Sequence, residues 1–417
     1  MQVIQTDNNG LIKSWCPNVE ENALNQAKLL AEQPFVFRHM ALMPDAHFGN
    51  VMPIGGVLAT KGVILPACVG SDIACGVCAM KTSLKVPDFT EAKKEELLHS
   101  LERSIPVGFS HNSDKRQAEL LQKYGDKIEY MFEKNKNVFY AQTKIFKDLR
   151  KDVIEQLATL GGGNHFLELQ YDQDENVWVM LHSGSRNMGL KICDTFDDIA
   201  AVLNKKYYSR VDDTIHFLPS DSPDGKEYLL YMHFAMDFAY LNRQIMMRFI
   251  EKDLSFAFKH MQVDFGDIIN IHHNYASLEN HFGSNVWIHC KGATLATEKT
   301  IGIIPGSCGT PSFIVGGLGN PESYNSCSHG AGRVSGRKEF NKLHNTPEKM
   351  LEIEESLKGV VHSKFRKEQS FKKNKETGLL DVSEAPQAYK SIESVLDNQK
   401  DLVTITTKLT PFISMKG

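Results

Sequence analysis

The chain has 417 residues, 41% of them hydrophobic and 24% charged, with a formal net charge of −4. That length buries a substantial core, and the composition excludes disordered, collagen-like and coiled-coil classes for the chain as a whole. The slightly acidic balance also excludes nucleic-acid binding by overall charge, leaving only local basic faces for such a role.

The N-terminal MQVIQTDNNGLIKSW has no basic segment followed by an apolar run, so it does not read as a signal peptide. A cytoplasmic location is expected, and the eight cysteines at 16, 68, 75, 78, 193, 290, 308 and 327 read as thiols or metal ligands, not a disulfide framework. Residues 35–87 fall into short runs such as PIGGVLAT, GVILPACVG and VCAMKTSLKV, the pattern of short strands joined by tight turns. Residues 88–158 are polar with helical periodicity. Strand-like runs return at 157–183, around GGGNHFLEL and VWVMLHSGS.

Residues 190–260 are again mostly helical. The most apolar helix, 228–250, is interrupted by His233, Asp237, Asn242, Arg243 and Gln244, which fits a buried core helix and not a membrane span. Short apolar runs and Gly-rich turns occupy 263–336. A charged stretch at 338–376 reads as helical, and LVTITTKLTPFIS closes the chain as a β-prone run. This order predicts one large α+β domain over residues 1–417. Its sheets are built from sequence-distant strands, with helical insertions at about 88–158, 190–260 and 338–376. Residues 358–375 carry seven Lys or Arg against one Glu, a basic segment that suits a solvated surface or a phosphate-binding face.

The chemistry-bearing residues sit in the Gly-rich pieces: PDAHFG (44–49), VGSDIACG (69–76), GGGNHFLE (161–168), LHSGSR (181–186), HHNYA (272–276), PGSCGTPS (305–312) and SHGAGR (328–333). Asp72 and Cys75 stand three apart in a Gly-bounded turn. They suit a shared metal site in which the thiolate bridges two ions, or a small buried thiol in a turn. Cys75 and Cys78 form one C-x-x-C with no second copy, which argues against a zinc ribbon. The imidazoles of His165, His182, His272 and His273, taken with that carboxylate and thiolate, suit Mn, Fe, Co or Zn.

Ser183, Ser185, Arg186 and the PGSCGTPS loop offer the hydroxyl, backbone and guanidinium donors a phosphate needs. Neither a Walker A loop nor a dinucleotide fingerprint is present. His329 is surrounded by small residues. That leaves room for a phosphoryl or nucleotidyl group on a nucleophilic imidazole, or marks a structural histidine in a turn.

Taken in order, DIACG, GGGNHFLEL, LHSGSR, HHNYA, the PGS-x-GT loop, SHGAGR and the final Lys416-Gly417 resemble the RtcB family of RNA-splicing ligases. The resemblance runs from about residue 35 to the C-terminus. It implies a GTP- and Mn²⁺-dependent ligase that joins RNA 3′-phosphate or 2′,3′-cyclic phosphate ends to 5′-hydroxyl ends through a guanylylated histidine. Carried over by motif, Asp72, Cys75, His165, His182 and His273 correspond to the ligands of a two-manganese site, with Cys75 bridging, and His329 to the guanylylated histidine. Asn164, Phe166, Glu168, Ser307, Ser312, Gly330 and Lys416 correspond to nucleotide contacts. Arg186, Asp45 and Arg337 correspond to RNA-side positions.

The implied partner is broken RNA, with an activating protein as a further expectation. The implied state is a monomer with no membrane attachment. The implied setting is a bacterial branch engaged in repair of cleaved tRNA or rRNA. Departures from the family pattern spare the ligands and His329: Cys290 stands where an arginine is common, and Ser335-Gly336-Arg337 where Met-Ser-Arg is usual. Two readings compete. One is a dinuclear metal-dependent phosphoesterase acting on RNA without guanylylation, whose ligands activate water. The other is a non-catalytic RNA-binding protein.

Overall fold

The Gly-, Val- and Ile-rich runs near the N-terminus fold as paired strands in the structure, a computed structural model. It describes all of residues 1–417 except 109, 208, 210, 366 and 371–374, with the backbone alone described at 367–370 and 375–378. Val36–His47 lies antiparallel to Ile54–Thr60, with Ala41 opposite Val57 and Leu42 opposite Gly56. These two strands form the middle of a six-stranded sheet in the order Gln2–Gln5, Leu11–Ser14, Val36–His47, Ile54–Thr60, Ser284–Lys291, Asn274–His281.

A second sheet collects strands far apart in sequence. Its order is Ile269–His272, Gly76–Lys85, Asn176–Ser183, Phe166–Tyr171, Val403–Lys416, Ser312–Gly317, Ile301–Ile304, and Val361–His362 runs parallel to Val403–Lys416. Its register sets side chains that matter below. Phe166 pairs with both His182 and Lys416, and Glu168 pairs with Ser414. The chain crosses from one sheet to the other at His273, the single residue between Ile269–His272 and Asn274–His281.

Helices fill the insertions expected at 88–158 and 190–260. Glu91–Ser104, Asp114–Lys134 and Leu149–Gln156 each begin at a side-chain cap, from Thr90, Ser113 and Asp148 respectively, which satisfies backbone N–H groups a helix start leaves open. Asn187–Lys206 and Pro223–Ala257 follow, the latter capped by Ser222 with proline in its first turn. Phe234, Phe238, Met246 and Ile250 of that long helix join Met80, Val179 and Leu181 of the second sheet in one apolar cluster. Each such side chain, wholly buried, contributes about 1.5–3 kcal/mol. No helix among the described residues is long and apolar enough to cross a membrane.

The helical expectation for 338–376 holds only in its first half. Arg337–His344 and Pro347–Ser356 are helices. Gly359 then turns the chain at φ +87, and Val361–His362 enters the second sheet opposite Ile413 and Ser414. Lys367–Ser370 and Lys375–Leu380 pair antiparallel. Glycine followed by two β-branched valines favours the strand, and the charged residues beyond supplied a polarity signal without helical meaning. The basic segment noted at 358–375 includes residues 366 and 371–374, which lie outside the described residues.

Candidate active site

Four chain segments deliver five ligand-type side chains to the place where the sheets meet. Asp72 and Cys75 come from the turn before Gly76–Lys85, His165 from the residue before Phe166–Tyr171, His182 from the end of Asn176–Ser183, and His273 from the sheet crossing. The crossing is tied down by backbone: His273 N–H donates to the Cys75 carbonyl at 2.9 Å. Cys75 Sγ lies 3.1 Å from His182 Nε2 and 3.4 Å from His165 Nε2. His182 Nε2 lies 3.3 Å from His273 Nε2, and His165 Nε2 lies 3.0 Å from Asp72 Oδ2.

Two sets, Cys75–His182–His273 and Asp72–Cys75–His165, each hold their ligand atoms within 4.8 Å of one another. The sulfur belongs to both. Gly184 makes this approach possible, because a Cβ there would stand 2.1 Å from Asp72 Oδ1.

The electrostatics suit cations. Burial, reinforced by neighbouring positive charge, drives the imidazoles of His182 and His273 well below their ordinary pKa and keeps them neutral. Burial works against the charge on Asp72, but the charge and hydrogen bond of His165 outweigh it and hold the carboxyl below its usual value. Burial and the Asp72 carboxylate push the Cys75 thiol up, while a bound divalent ion deprotonates such a thiol outright. Neutral imidazole nitrogens face each other and a sulfur with too few protons to satisfy every lone pair. That donor set fits borderline divalent metals, among them the manganese expected from the sequence. Cys78, the other half of the C-x-x-C, is buried in the apolar cluster and belongs to neither set.

His329 stands beside this cluster, its ring centroid 4.8 Å from that of His273. Its Nδ1 lies 2.6 Å from Asp45 Oδ2, and its backbone N–H donates to the same oxygen at 3.2 Å. Asp45 is fully buried, so its place is behind the histidine and not on a surface that meets RNA, a correction to the sequence-based expectation. A carboxylate can only accept, so this contact orients Nδ1 as the donor and leaves Nε2 as the ring nitrogen turned away from Asp45. Gly332, at φ +72, passes so close that a Cβ would stand 2.4 Å from the Asp45 carbonyl oxygen. The small residues around His329 therefore let two backbones meet.

Of the residues expected on the nucleotide side, Phe166, Glu168 and Lys416 lie on two adjoining central strands of the second sheet, Phe166–Tyr171 and Val403–Lys416. Glu168 is buried, accepting from Ser414 Oγ at 2.9 Å and from Gln170 Nε2 at 2.7 Å. Burial raises its pKa, with Lys416 acting in the other direction. Gln170 also donates to Ser312 Oγ at 3.0 Å, and Ser312 Oγ receives the Gly306 N–H at 3.2 Å. Ser307 bonds within its own loop to Thr310. Lys416 Nζ lies 4.7 Å from the Phe166 ring centroid, and Gly417 N–H donates to the His165 carbonyl at 3.0 Å. Gly330 packs against Pro305, and Asn164 stands half-buried before His165.

Of the two arginines expected on the RNA side, Arg186 is half-buried and Arg337 is exposed. Arg186 donates to Thr159 Oγ1 at 3.1 Å and to the Gly108 carbonyl at 2.8 Å. Arg337 donates to Glu384 Oε1 at 2.9 Å and lies against Gly163. Cys290 is wholly buried in an apolar cluster with Tyr275, Ile304 and Cys327.

Sequence reasoning missed Glu384, which gathers Arg333, Arg337 and Tyr389. Burial opposes its charge, yet Arg337, Lys416 and Arg333 hold its pKa at about 2. No motif marks it. Sequence reasoning also missed the part played by Arg243, although a charged residue inside an apolar helix was the available signal.

Comparison with known proteins gives a consistent picture. A family model described as "tRNA-splicing ligase RtcB" matches residues 26–417. The RNA-splicing ligase RtcB of Escherichia coli (strain K12) is 36% identical, over 99% of this chain and 98% of that protein. The tRNA-splicing ligase RtcB of Methanococcus maripaludis is 30% identical, over 96% of this chain and 92% of that protein. A homologue from Entamoeba histolytica is 29% identical, over 95% and 84% respectively.

Proposed function

This chain belongs to the RtcB family of RNA-splicing ligases, and from that premise we propose that it joins RNA 3′-phosphate or 2′,3′-cyclic phosphate ends to 5′-hydroxyl ends, using GTP and Mn²⁺. The observation that carries this reading is the Asp45–His329 pair, 2.6 Å apart, set beside two ligand sets that share one sulfur. A metallohydrolase would use the ligand sets, and an imidazole held by a carboxylate serves it as a general acid or base, but it has no use for guanine-side residues such as Glu168 and Lys416 beside them.

Asp72, Cys75, His165, His182 and His273 would hold two Mn²⁺ ions, which neutralise phosphate charge and ease attack at phosphorus. His329 Nε2 attacks the α-phosphate of GTP, forming an N–P bond as pyrophosphate leaves. Asp45 keeps Nδ1 protonated and balances the positive charge that develops on the ring. Glu168 supplies acceptors for the guanine edge. Lys416, over Phe166, supplies positive charge to the bound nucleotide, and Asn164, Ser307, Ser312 and Gly330 shape its surroundings.

An oxygen of the RNA 3′-phosphate then takes the guanylyl group and frees His329. The 5′-hydroxyl attacks the activated 3′-phosphate, closing the phosphodiester and expelling GMP. A cyclic end is first opened by water. Arg186 and Arg337 meet RNA phosphates. The chain acts as one catalytic unit, since residues from 45 to 416 converge on this site. Eight unpaired, buried cysteines suit a reducing cytoplasm.

The test is covalent transfer from α-labelled GTP in the presence of Mn²⁺. Acid-labile label on the wild type, absent from His329→Ala, is the expected result. A metal-loaded wild type that takes no label but cleaves RNA phosphoesters would move the assignment to the dinuclear phosphoesterase.

A further inference from the structure

Arg243 heads the fully buried side chains by size, at the middle of the Pro223–Ala257 helix. A guanidinium taken out of water ordinarily meets a carboxylate, because an uncompensated buried charge is costly. Among the described residues none pairs with it. Nε donates to Asn270 Oδ1 at 2.8 Å, and Nη1 donates to two carbonyls, Ala74 at 3.0 Å and Ser183 at 2.8 Å. Nη2 lies 3.0 Å from His272 Nδ1.

These acceptors form a pattern. Ala74 precedes Cys75, Ser183 follows His182, and His272 precedes His273. One guanidinium therefore touches the sequence neighbour of every member of the Cys75–His182–His273 set. Two further features fit it to this place. Ala74 holds a left-handed backbone, φ +57, unfavourable for an alanine, and its carbonyl accepts from Arg243 Nη1. Gly76 leaves the guanidinium room, since a Cβ there would stand 3.1 Å from Arg243 Cζ.

We propose that Arg243 is the positioning residue of this ligand set, its planar fork holding three strand ends so that one sulfur and two imidazole nitrogens converge on a metal ion. The proposal rests on the metal-binding reading given above. It assigns Arg243 no contact with substrate. A lysine cannot replace it fully, because an ammonium lacks the fixed fork that reaches Asn270, both carbonyls and His272 together.

The test uses the full chain stripped of metal by chelation and titrated with Mn²⁺ by calorimetry and with Co²⁺ by absorbance, where a sulfur-to-cobalt band reports the Cys75 thiolate. Arg243→Gln, folded by circular dichroism, is expected to bind metal about 10–100-fold more weakly, the range for lost support of metal ligands, and to lose the band. Arg243→Lys is expected to recover part of both. If the Gln variant does not fold, the Lys variant decides: weaker binding with a diminished band supports the proposal. Wild-type affinity and band in either folded variant overturn it. Failure of both variants to fold also overturns it, by assigning Arg243 to the fold at large. The readout uses neither GTP nor RNA. A wild type that binds two metals but takes no GMP therefore defeats the ligase reading alone, and a wild type that binds no metal defeats this one.

Discussion

The Cys75 cluster and the surroundings of Glu168 lie on the same sheet and are built in opposite ways. Around Cys75 the hydrogen-bonding accounts do not close. His165 Nδ1 and His273 Nδ1 are buried without a protein partner, while Sγ and three Nε2 atoms crowd together. Around Glu168 the carboxylate itself is satisfied: Ser414 and Gln170 donate to its two oxygens and Gln170 also donates to Ser312, with Gln170 Oε1 left without a partner. A region that leaves lone pairs converging is built for a charge the chain does not itself supply. A region whose carboxylate is held by two donors is already shaped, and keeps its acceptors at fixed positions for a planar ligand.

If the two regions are separable, each should fail alone. The largest effect is expected at their junction. His329→Ala should lower GMP transfer and ligation by about 10³-fold or more while metal affinity stays within about twofold, read by label transfer and calorimetry. Cys75→Ala should strike the open region alone. It removes the ligand common to both sets, so the variant should lose both ions by elemental analysis and show no sulfur-to-cobalt band.

Glu168→Gln should strike the closed region alone. It keeps the side chain's shape but offers a donor where the guanine edge needs an acceptor. Metal binding should stay unchanged while preference for GTP over ATP narrows by about 10–100-fold in kcat/KM. The smallest effect concerns stability. Glu384 has its pKa lowered to about 2 from 4.5, so its stabilisation is full above pH about 4.5 and is lost as pH falls toward 2. Glu384→Gln should remove about 3 kcal/mol at neutral pH and flatten the acid limb of the unfolding curve, without altering metal content.

Much of this arrangement was legible before folding, for a physical reason. Metal ligands and close backbone approaches use few residue types, so Asp72, Cys75, His165, His182, His273 and His329 stand out beside their glycines. Strand and helix alternation from 35 to 336 was legible because the strands are short Gly-, Val- and Ile-rich runs and the insertions between them are polar with helical periodicity. What escaped depends on contacts across sequence. Asp45 looked like an RNA-side aspartate because nothing local says that its partner lies 284 residues away, on His329. Arg243 read as an interruption of an apolar helix, since its four acceptors come from three distant segments. Beyond Ser356 the charged residues imitated a helix surface, and only pairing with Ile413 and Ser414 shows a strand.

The sulfur shared by the two ligand sets carries a consequence for metal supply. A thiolate with imidazoles grips zinc more tightly than manganese at equal free concentrations, because affinity for such sites rises along the first transition row from manganese. The ion that occupies the site is then decided by what the cell makes available and not by what the ligands prefer. If manganese is the working ion, as proposed, the balance between the two free metals would become a control on RNA sealing: a surge of zinc would silence the enzyme with its fold and His329 intact, and zinc buffering would restore it.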